Sequence, residues 1–283
     1  MDIKRVMVIG AGQMGGGIAQ VCAQSGFDVI LNDISEESYE RGLRVIDKNL
    51  ARSVEKGRMS EEEKSAALGR ITKSTDLSDA KDADIIIEAA VEKMEIKQSI
   101  FRQLDEMAPD HAILATNTSA LPITEIAAVT KRPGQVIGMH FMNPVPVMKL
   151  VEIIRGLATE DGVYEAVEDM TRKLSKTPVE VNDYPGFVSN RVLMPMINEA
   201  IFTLYEGVAT KEDIDEVMKL GMNHPMGPLQ LADFIGLDTC LYIMEVLQEG
   251  FGDPKYRPCP LLRKYVNAGW LGKKSGRGFY VYE

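Results

Sequence analysis

Short apolar runs separated by stretches of helical periodicity dominate the first two thirds of the chain. Runs rich in β-branched residues lie at 5–9, 27–31, 84–88, 112–115, 135–139, 148–154 and 177–181. Continuous apolar runs of this length belong to strands covered on both faces, where the usual alternation with polar positions is lost. Between many of them, 14–25, 36–56, 95–107 and 160–175 show helical patterns. Strand–helix alternation predicts an α/β fold built on an open, doubly wound, mostly parallel sheet.

The texture changes after Asp183-Tyr184-Pro185-Gly186. From there until the very end of the chain the pattern offers no strand. Segments 187–206, 210–220, 228–249 and 259–268 read as helices, punctuated by Pro and Gly, notably at Asn223-His224-Pro225-Met226-Gly227-Pro228. The pattern therefore predicts two domains: residues 1–184, and an all-helical second domain over 185–283. The Met- and Leu-rich faces of the second domain serve either as its own core or as a surface for a second copy.

Composition narrows the function classes. The 283 residues are too many for one small core. A net charge of −10 argues against a broad nucleic-acid surface, so an anionic ligand must be met by a local basic patch or by backbone N–H groups. Cys22, Cys240 and Cys259 show neither metal-ligand nor redox spacing, which points to a reducing compartment and to no metal site. No apolar signal core or membrane-length run of about 18 residues is present, so a cytoplasmic protein without a membrane partner is expected.

The most specific motif is Gly10-Ala11-Gly12-Gln13-Met14-Gly15, which follows a strand and opens a helix, with Asp33 ending the next strand. Gly10 permits the tight turn, Gly12 lets the backbone approach a pyrophosphate, and Gly15 lets helix and strand pack closely. Backbone N–H groups at Gln13 and Met14 would face the phosphates. Asp33 suits a ribose diol and would repel a 2′-phosphate, and no Arg or Lys follows it within 33–38, so NAD is expected rather than NADP. This is a Rossmann-like domain by sequence. Glu92 and Lys97, near the end of the 84–88 strand, are either contacts to the nicotinamide ribose or solvated charges.

Exchange of an alcohol proton during hydride transfer points first to histidine. Of the three, His111 precedes a strand and His224 lies in a Pro-rich turn. His140 ends the 135–139 run, at a strand's carboxyl end, where ligands gather in such sheets. Glu152 interrupts the apolar run 148–154, and a carboxylate there is costly unless paired, so a neighbouring His140 would be its partner and Glu152 would orient the ring. Otherwise Glu152 faces solvent. Asn117-Thr118-Ser119 follows the 112–115 run and reads both as a substrate-holding turn and as a helix start. Asn190, early in the first helix of the second domain, would complete the site if that helix faces the cleft.

At this point the sequence resembles the L-3-hydroxyacyl-CoA dehydrogenases, and among them the short-chain 3-hydroxybutyryl-CoA branch. The resemblance is carried by the Asn-Thr-Ser turn at 117–119, His140-Phe141-Met142-Asn143-Pro144-Val145-Pro146, Glu152, Pro185-Gly186-Phe187 with Asn190-Arg191, and the tail 270–280. It implies an NAD-dependent 3-hydroxyacyl-CoA dehydrogenase with His140 as general acid/base, Glu152 as its partner, and Ser119 and Asn190 on the substrate oxygen and thioester. It also implies cofactor contacts from Asp33, Glu92, Lys97 and Asn117, an acyl-CoA substrate, and a homodimer formed through the second domain. Relatives often carry a second Ser where this chain has Ala120. Arg44, Lys48, Arg52 and Lys56 recur every four residues. They form either a solvated face partly neutralised by Asp47 and Glu55 or, as the resemblance implies for Arg52 and Lys56, a contact for CoA phosphate. Two alternatives share the scaffold: a dehydrogenase of free 3-hydroxyacids, and a non-catalytic, crystallin-like protein.

Overall fold

The computed structural model describes residues 2–282, which fall into two compact units divided between Asp183 and Tyr184. The first is built on β1 (Arg5–Ile9), β2 (Asp28–Asn32), β3 (Ile71–Ser74), β4 (Ile85–Glu88), β5 (Ile113–Thr116), β6 (Val136–Phe141), β7 (Leu150–Arg155) and β8 (Thr177–Asn182). Their order in the sheet is β3-β2-β1-β4-β5-β6-β7-β8. Every neighbouring pair is parallel except β6 and β7. The helices of this unit are α1 (Gln13–Gln24), α2 (Glu36–Glu55), α3 (Glu61–Gly69), α4 (Met94–Met107), α5 (Ile123–Ala127) and α6 (Asp161–Lys173). The chain winds outward from β1 in both directions, so the switch point lies between β1 and β4.

Burial on both faces explains the unbroken apolar runs. Ile85, Ile86 and Ile87 of β4 are all fully buried, and each such side chain contributes roughly 1.5–3 kcal/mol. In α2, Tyr39, Gly42, Ile46 and Leu50 face inward at three- and four-residue spacing, while Ser35 caps the start by accepting the Ser38 N–H. Ser60 and Glu63 form the reciprocal capping box of α3. The sequence pattern did not reveal β3. It is four residues long, polar on one face, and lies at the sheet edge, where burial leaves little apolar signature.

The second unit packs α7 (Ser189–Tyr205), α8 (Lys211–Gly221), α9 (Pro228–Ile235), α10 (Leu237–Phe251) and α11 (Pro260–Asn267) around Met194, Ile201, Leu229, Leu237 and Met244. The segment 228–249, read as one helix, is two: the chain breaks at Gly236, whose φ of 105° no helix admits. Buried carboxylates strap the tail down. Asp233 accepts the Phe279 and Tyr280 N–H groups and the Tyr282 hydroxyl, and Asp215 accepts the Leu229 and Gln230 N–H groups and the Tyr280 hydroxyl. Burial pushes the Asp233 carboxyl above its usual range, against the pull of those donors.

Among the described residues no helix is long and apolar enough to cross a membrane. All three cysteines are buried, and burial pushes the Cys22 and Cys240 thiols up to about 12. An unfolded thiol titrates near about 8.5, so above that pH the unfolded chain releases protons that the folded chain keeps. The stability contributed by the two buried thiols is therefore fully present below about pH 8.5 and is lost as pH rises toward the folded values. Urea midpoints measured from about pH 8 to about pH 11 should fall, and less steeply for a Cys22→Ala/Cys240→Ala variant; equal slopes would contradict the assignment.

Candidate active site

The cofactor turn is built around glycines that the backbone requires. A Cβ on Gly10, at φ 98°, would lie 2.7 Å from the Ala89 carbonyl oxygen, and one on Gly15 would lie 1.8 Å from the Gly10 carbonyl oxygen. Gly12 differs: a Cβ there would meet no protein atom within 4 Å, so its side of the turn faces open space. The N-terminus of α1 has no side-chain cap and no acid in its first turn. Its partial positive charge is thus left for an anion. Asp33 Oδ2 accepts the Ala11 N–H at 2.7 Å and Oδ1 the Ile34 N–H at 2.7 Å. Asp33 therefore fixes the glycine turn against the end of β2, and each oxygen retains a lone pair for a ribose hydroxyl. Open space at Gly12, an uncapped helix start and a fixed carboxylate together fit a dinucleotide.

The site's other groups lie at the carboxyl ends of β4, β5 and β6. Antiparallel pairing of β6 with β7 sets His140 directly opposite Glu152, so both side chains leave the same face of the sheet. His140 Nδ1 lies 2.8 Å from Glu152 Oε2, with His140 6% exposed and Glu152 2%. A carboxylate only accepts, so Nδ1 carries the proton and Nε2 is the basic nitrogen of the neutral ring. Glu152 is not on a solvent face. The other two histidines lie elsewhere: exposed His111 meets Asp84 at 3.3 Å, and half-buried His224 sits in the loop after α8.

Asn117 links two strand ends. Its backbone N–H donates to the Glu88 carbonyl, and its Oδ1 accepts the Phe141 N–H at 2.9 Å. That bond fixes the amide's orientation and directs Nδ2 as a donor. The loop that returns from His140 to β7 contains a cis Asn143–Pro144 peptide. It is held by Lys176, whose buried Nζ donates to the carbonyls of Val145 and Met148, and Asn143 Oδ1 accepts from Gln13 Nε2 at 3.0 Å. Burial holds the Lys176 ammonium below its usual range. Sequence reasoning missed Lys176 and the Gln13–Asn143 bond.

Glu92 and Lys97 are not solvated surface charges. Lys97 is 1% exposed, and its Nζ lies 2.8 Å from Glu88 Oε1 and 3.4 Å from Glu92 Oε2. Glu92 Oε1 accepts from the Thr118 hydroxyl and from the Ser119 backbone N–H. Asn190 lies in the first turn of α7, in the second unit, and is buried. Arg44, Lys48, Arg52 and Lys56 are exposed along α2 and its C-cap. Asp47 does not neutralise them, because it pairs with Lys64 at 2.9 Å. Among the described residues no cluster of three His, Cys, Asp or Glu side chains is placed to hold a metal ion.

A doubly wound sheet, a fitted glycine turn and a carboxylate-oriented histidine at the strand ends define an NAD-dependent dehydrogenase. Residues 5–184 match the model of the 3-hydroxyacyl-CoA dehydrogenase NAD binding domain, and residues 186–282 that of the 3-hydroxyacyl-CoA dehydrogenase C-terminal domain. The chain belongs to the 3-hydroxyacyl-CoA dehydrogenase family. It is 66% identical to a probable 3-hydroxybutyryl-CoA dehydrogenase of Bacillus subtilis, over 100% of this chain and 99% of the relative. It is 58% identical to a 3-hydroxybutyryl-CoA dehydrogenase of Bradyrhizobium diazoefficiens, over 99% and 96%. The crystal structure of (S)-3-hydroxybutyryl-CoA dehydrogenase from Ralstonia eutropha superposes with a TM-score of 0.98 at 52% identity, covering 100% of both chains.

Proposed function

We propose that this chain interconverts (S)-3-hydroxybutyryl-CoA and acetoacetyl-CoA with NAD, in the cytoplasm. The His140–Glu152 pair at the sheet's carboxyl edge carries the reading. NAD, when bound, takes up or supplies the hydride. In the oxidative direction His140 Nε2 accepts the hydroxyl proton of the substrate while Glu152 stabilises the imidazolium that forms. In reduction the same nitrogen returns a proton to the forming alkoxide. Ser119 hydrogen-bonds the reacting oxygen. The exposed cations Arg52 and Lys56 meet the CoA phosphates.

The reaction is (S)-3-hydroxyacyl-CoA + NAD⁺ ⇌ 3-ketoacyl-CoA + NADH + H⁺. Mixing acetoacetyl-CoA with NADH or NADPH and following absorbance at 340 nm tests it. Rapid loss of NADH absorbance is expected. NADPH should react at least about tenfold more slowly, because its 2′-phosphate meets the Asp33 carboxylate. No turnover with either cofactor, from folded protein, would reject the reading.

The helical unit is the proposed dimerisation surface. On α8, Ile214 turns inward while Val217 and Leu220 remain 61% and 77% exposed, and Val192 on α7 is 67% exposed. Exposed apolar groups of this size call for a cover. Sedimentation equilibrium should give about twice the 31.3 kDa chain mass. A Val217→Asp/Leu220→Asp variant should sediment as single chains, and an unchanged mass would move the interface elsewhere.

A further inference from the structure

We propose that Glu88, with Lys97, is a positioning group for catalysis that sets the Thr116–Ala120 turn and with it Ser119. This rests on the reading of Ser119 as a contact to the reacting oxygen. Glu88 closes β4 and is 0% exposed, so it reaches no ligand and acts only through its neighbours. Four donor contacts converge on its carboxylate. Oε1 accepts from Lys97 Nζ at 2.8 Å and the Ala90 N–H at 2.7 Å, while Oε2 accepts from Lys97 Nζ at 3.0 Å and the Thr116 hydroxyl at 2.7 Å.

Two routes run from this carboxylate to the Ser119 turn. Through β5, the Thr116 hydroxyl accepts the Thr118 N–H at 3.3 Å. Through α4, Lys97 bridges to Glu92, whose Oε1 accepts the Thr118 hydroxyl at 2.6 Å and the backbone N–H groups of Ser119 at 2.8 Å and Ala120 at 3.3 Å. The Thr118 hydroxyl in turn accepts the Leu121 N–H at 2.9 Å. One buried ammonium thus serves two carboxylates, and the outer carboxylate grips the turn.

A buried cation must keep a paired anion, because an unpaired one is far costlier than a displaced hydrogen bond. Among the described residues, Glu88→Gln leaves Glu92 as the one carboxylate within ion-pair distance of Lys97. The 3.4 Å contact then contracts, drawing Glu92 off the Ser119 and Thr118 donors. The glutamine keeps the shape; its carbonyl oxygen still accepts the Ala90 N–H, and its amide N–H donates to the Thr116 hydroxyl in place of accepting from it. The consequence is a displaced Ser119.

The test is a double-mutant cycle of Glu88→Gln and Ser119→Ala, read as kcat and KM for NADH with acetoacetyl-CoA. Glu88→Gln should lower kcat at saturating NADH by at least about tenfold. In the Ser119→Ala background the same substitution should change kcat by less than about twofold, because its effect passes through Ser119. An equal fall in both backgrounds, or an unchanged kcat, would overturn the proposal. A role confined to stability would lower the unfolding midpoint without this dependence on Ser119.

Amide hydrogen exchange reads the turn without any turnover. Exchange at Ser119 and Ala120 should accelerate at least about tenfold in Glu88→Gln, and unchanged protection there would also overturn the proposal. If the wild type is inactive on acetoacetyl-CoA, the functional reading fails while the exchange result still decides whether Glu88 holds the turn. Thr118→Val, which removes the hydroxyl that donates to Glu92 and accepts the Leu121 N–H, takes the same cycle and exchange measurement should Glu88→Gln fail to fold.

Discussion

Replacing His140 with glutamine is expected to lower kcat by about 10²–10⁴, with NADH affinity changed by less than about threefold. Glutamine offers Glu152 a donor in place of the imidazole N–H, but it cannot exchange the substrate proton. His140→Ala should lose similar rate and also stability. It removes the imidazole partner of a carboxylate that is 2% exposed, and losing one member of a buried pair costs about 3–5 kcal/mol. Glu152→Gln should fall between, by about 10–10² in kcat, since the ring loses its charged partner but keeps an acceptor for Nδ1–H. Steady-state kinetics with NADH titrations of the three variants check the ordering. Near-wild-type turnover in His140→Gln would remove His140 from the chemistry.

The second large effect separates two glycines of one motif. Gly15→Ala places a Cβ 1.8 Å from the Gly10 carbonyl oxygen, a backbone group with no route of escape. Helix α1 must then back away from β1, with an expected loss of at least about 2 kcal/mol in stability together with cofactor binding. Gly12→Ala meets no protein atom within 4 Å, and Gly12 has a φ of −70° that alanine adopts freely. That variant should fold as well as the wild type yet bind NADH at least about a hundredfold more weakly, because the methyl group occupies the approach of the pyrophosphate. Thermal unfolding and NADH fluorescence titration measure the two quantities independently. Equal stability losses in the two variants would mean that Gly12 serves the fold rather than the ligand.

Much of this site was legible from residue types because chemistry constrained them strongly. The glycine turn, Asp33, and a histidine beside a carboxylate in an apolar strand each break a pattern that burial alone would keep. The pairing of His140 with Glu152 follows from a hairpin between β6 and β7, and the Pro-containing loop at 143–146 signals such a return. Lys97 carries a spacing signal of its own. It stands four residues before Phe101 and seven before Leu104, on the buried stripe of α4, so its spacing already placed it inside. Glu88 ends a run of three isoleucines and carries the same message.

Other features depend on contacts that no local pattern records. Lys176 reaches two carbonyls some thirty positions away, at Val145 and Met148, and nothing near it in sequence marks it as interior. Asp183 lies at the end of the first unit, where it accepts the Ile123 and Thr124 N–H groups and so caps α5 just beyond the Ser119 turn. Gly236 splits one apolar helical stretch in two, and only its positive φ distinguishes it from a tolerated glycine. The edge strand β3 is recognised by its pairing with β2, not by its composition.

The central claim is that His140 and Glu152 act on a CoA thioester rather than on a free acid. The most direct measurement is kcat/KM for acetoacetyl-CoA against free acetoacetate, with NADH saturating. Binding energy from the CoA moiety, remote from the reacting carbon, is expected to raise kcat/KM for the thioester by at least about a thousandfold. Comparable values for the two substrates, or a preference for the free acid, would contradict the account.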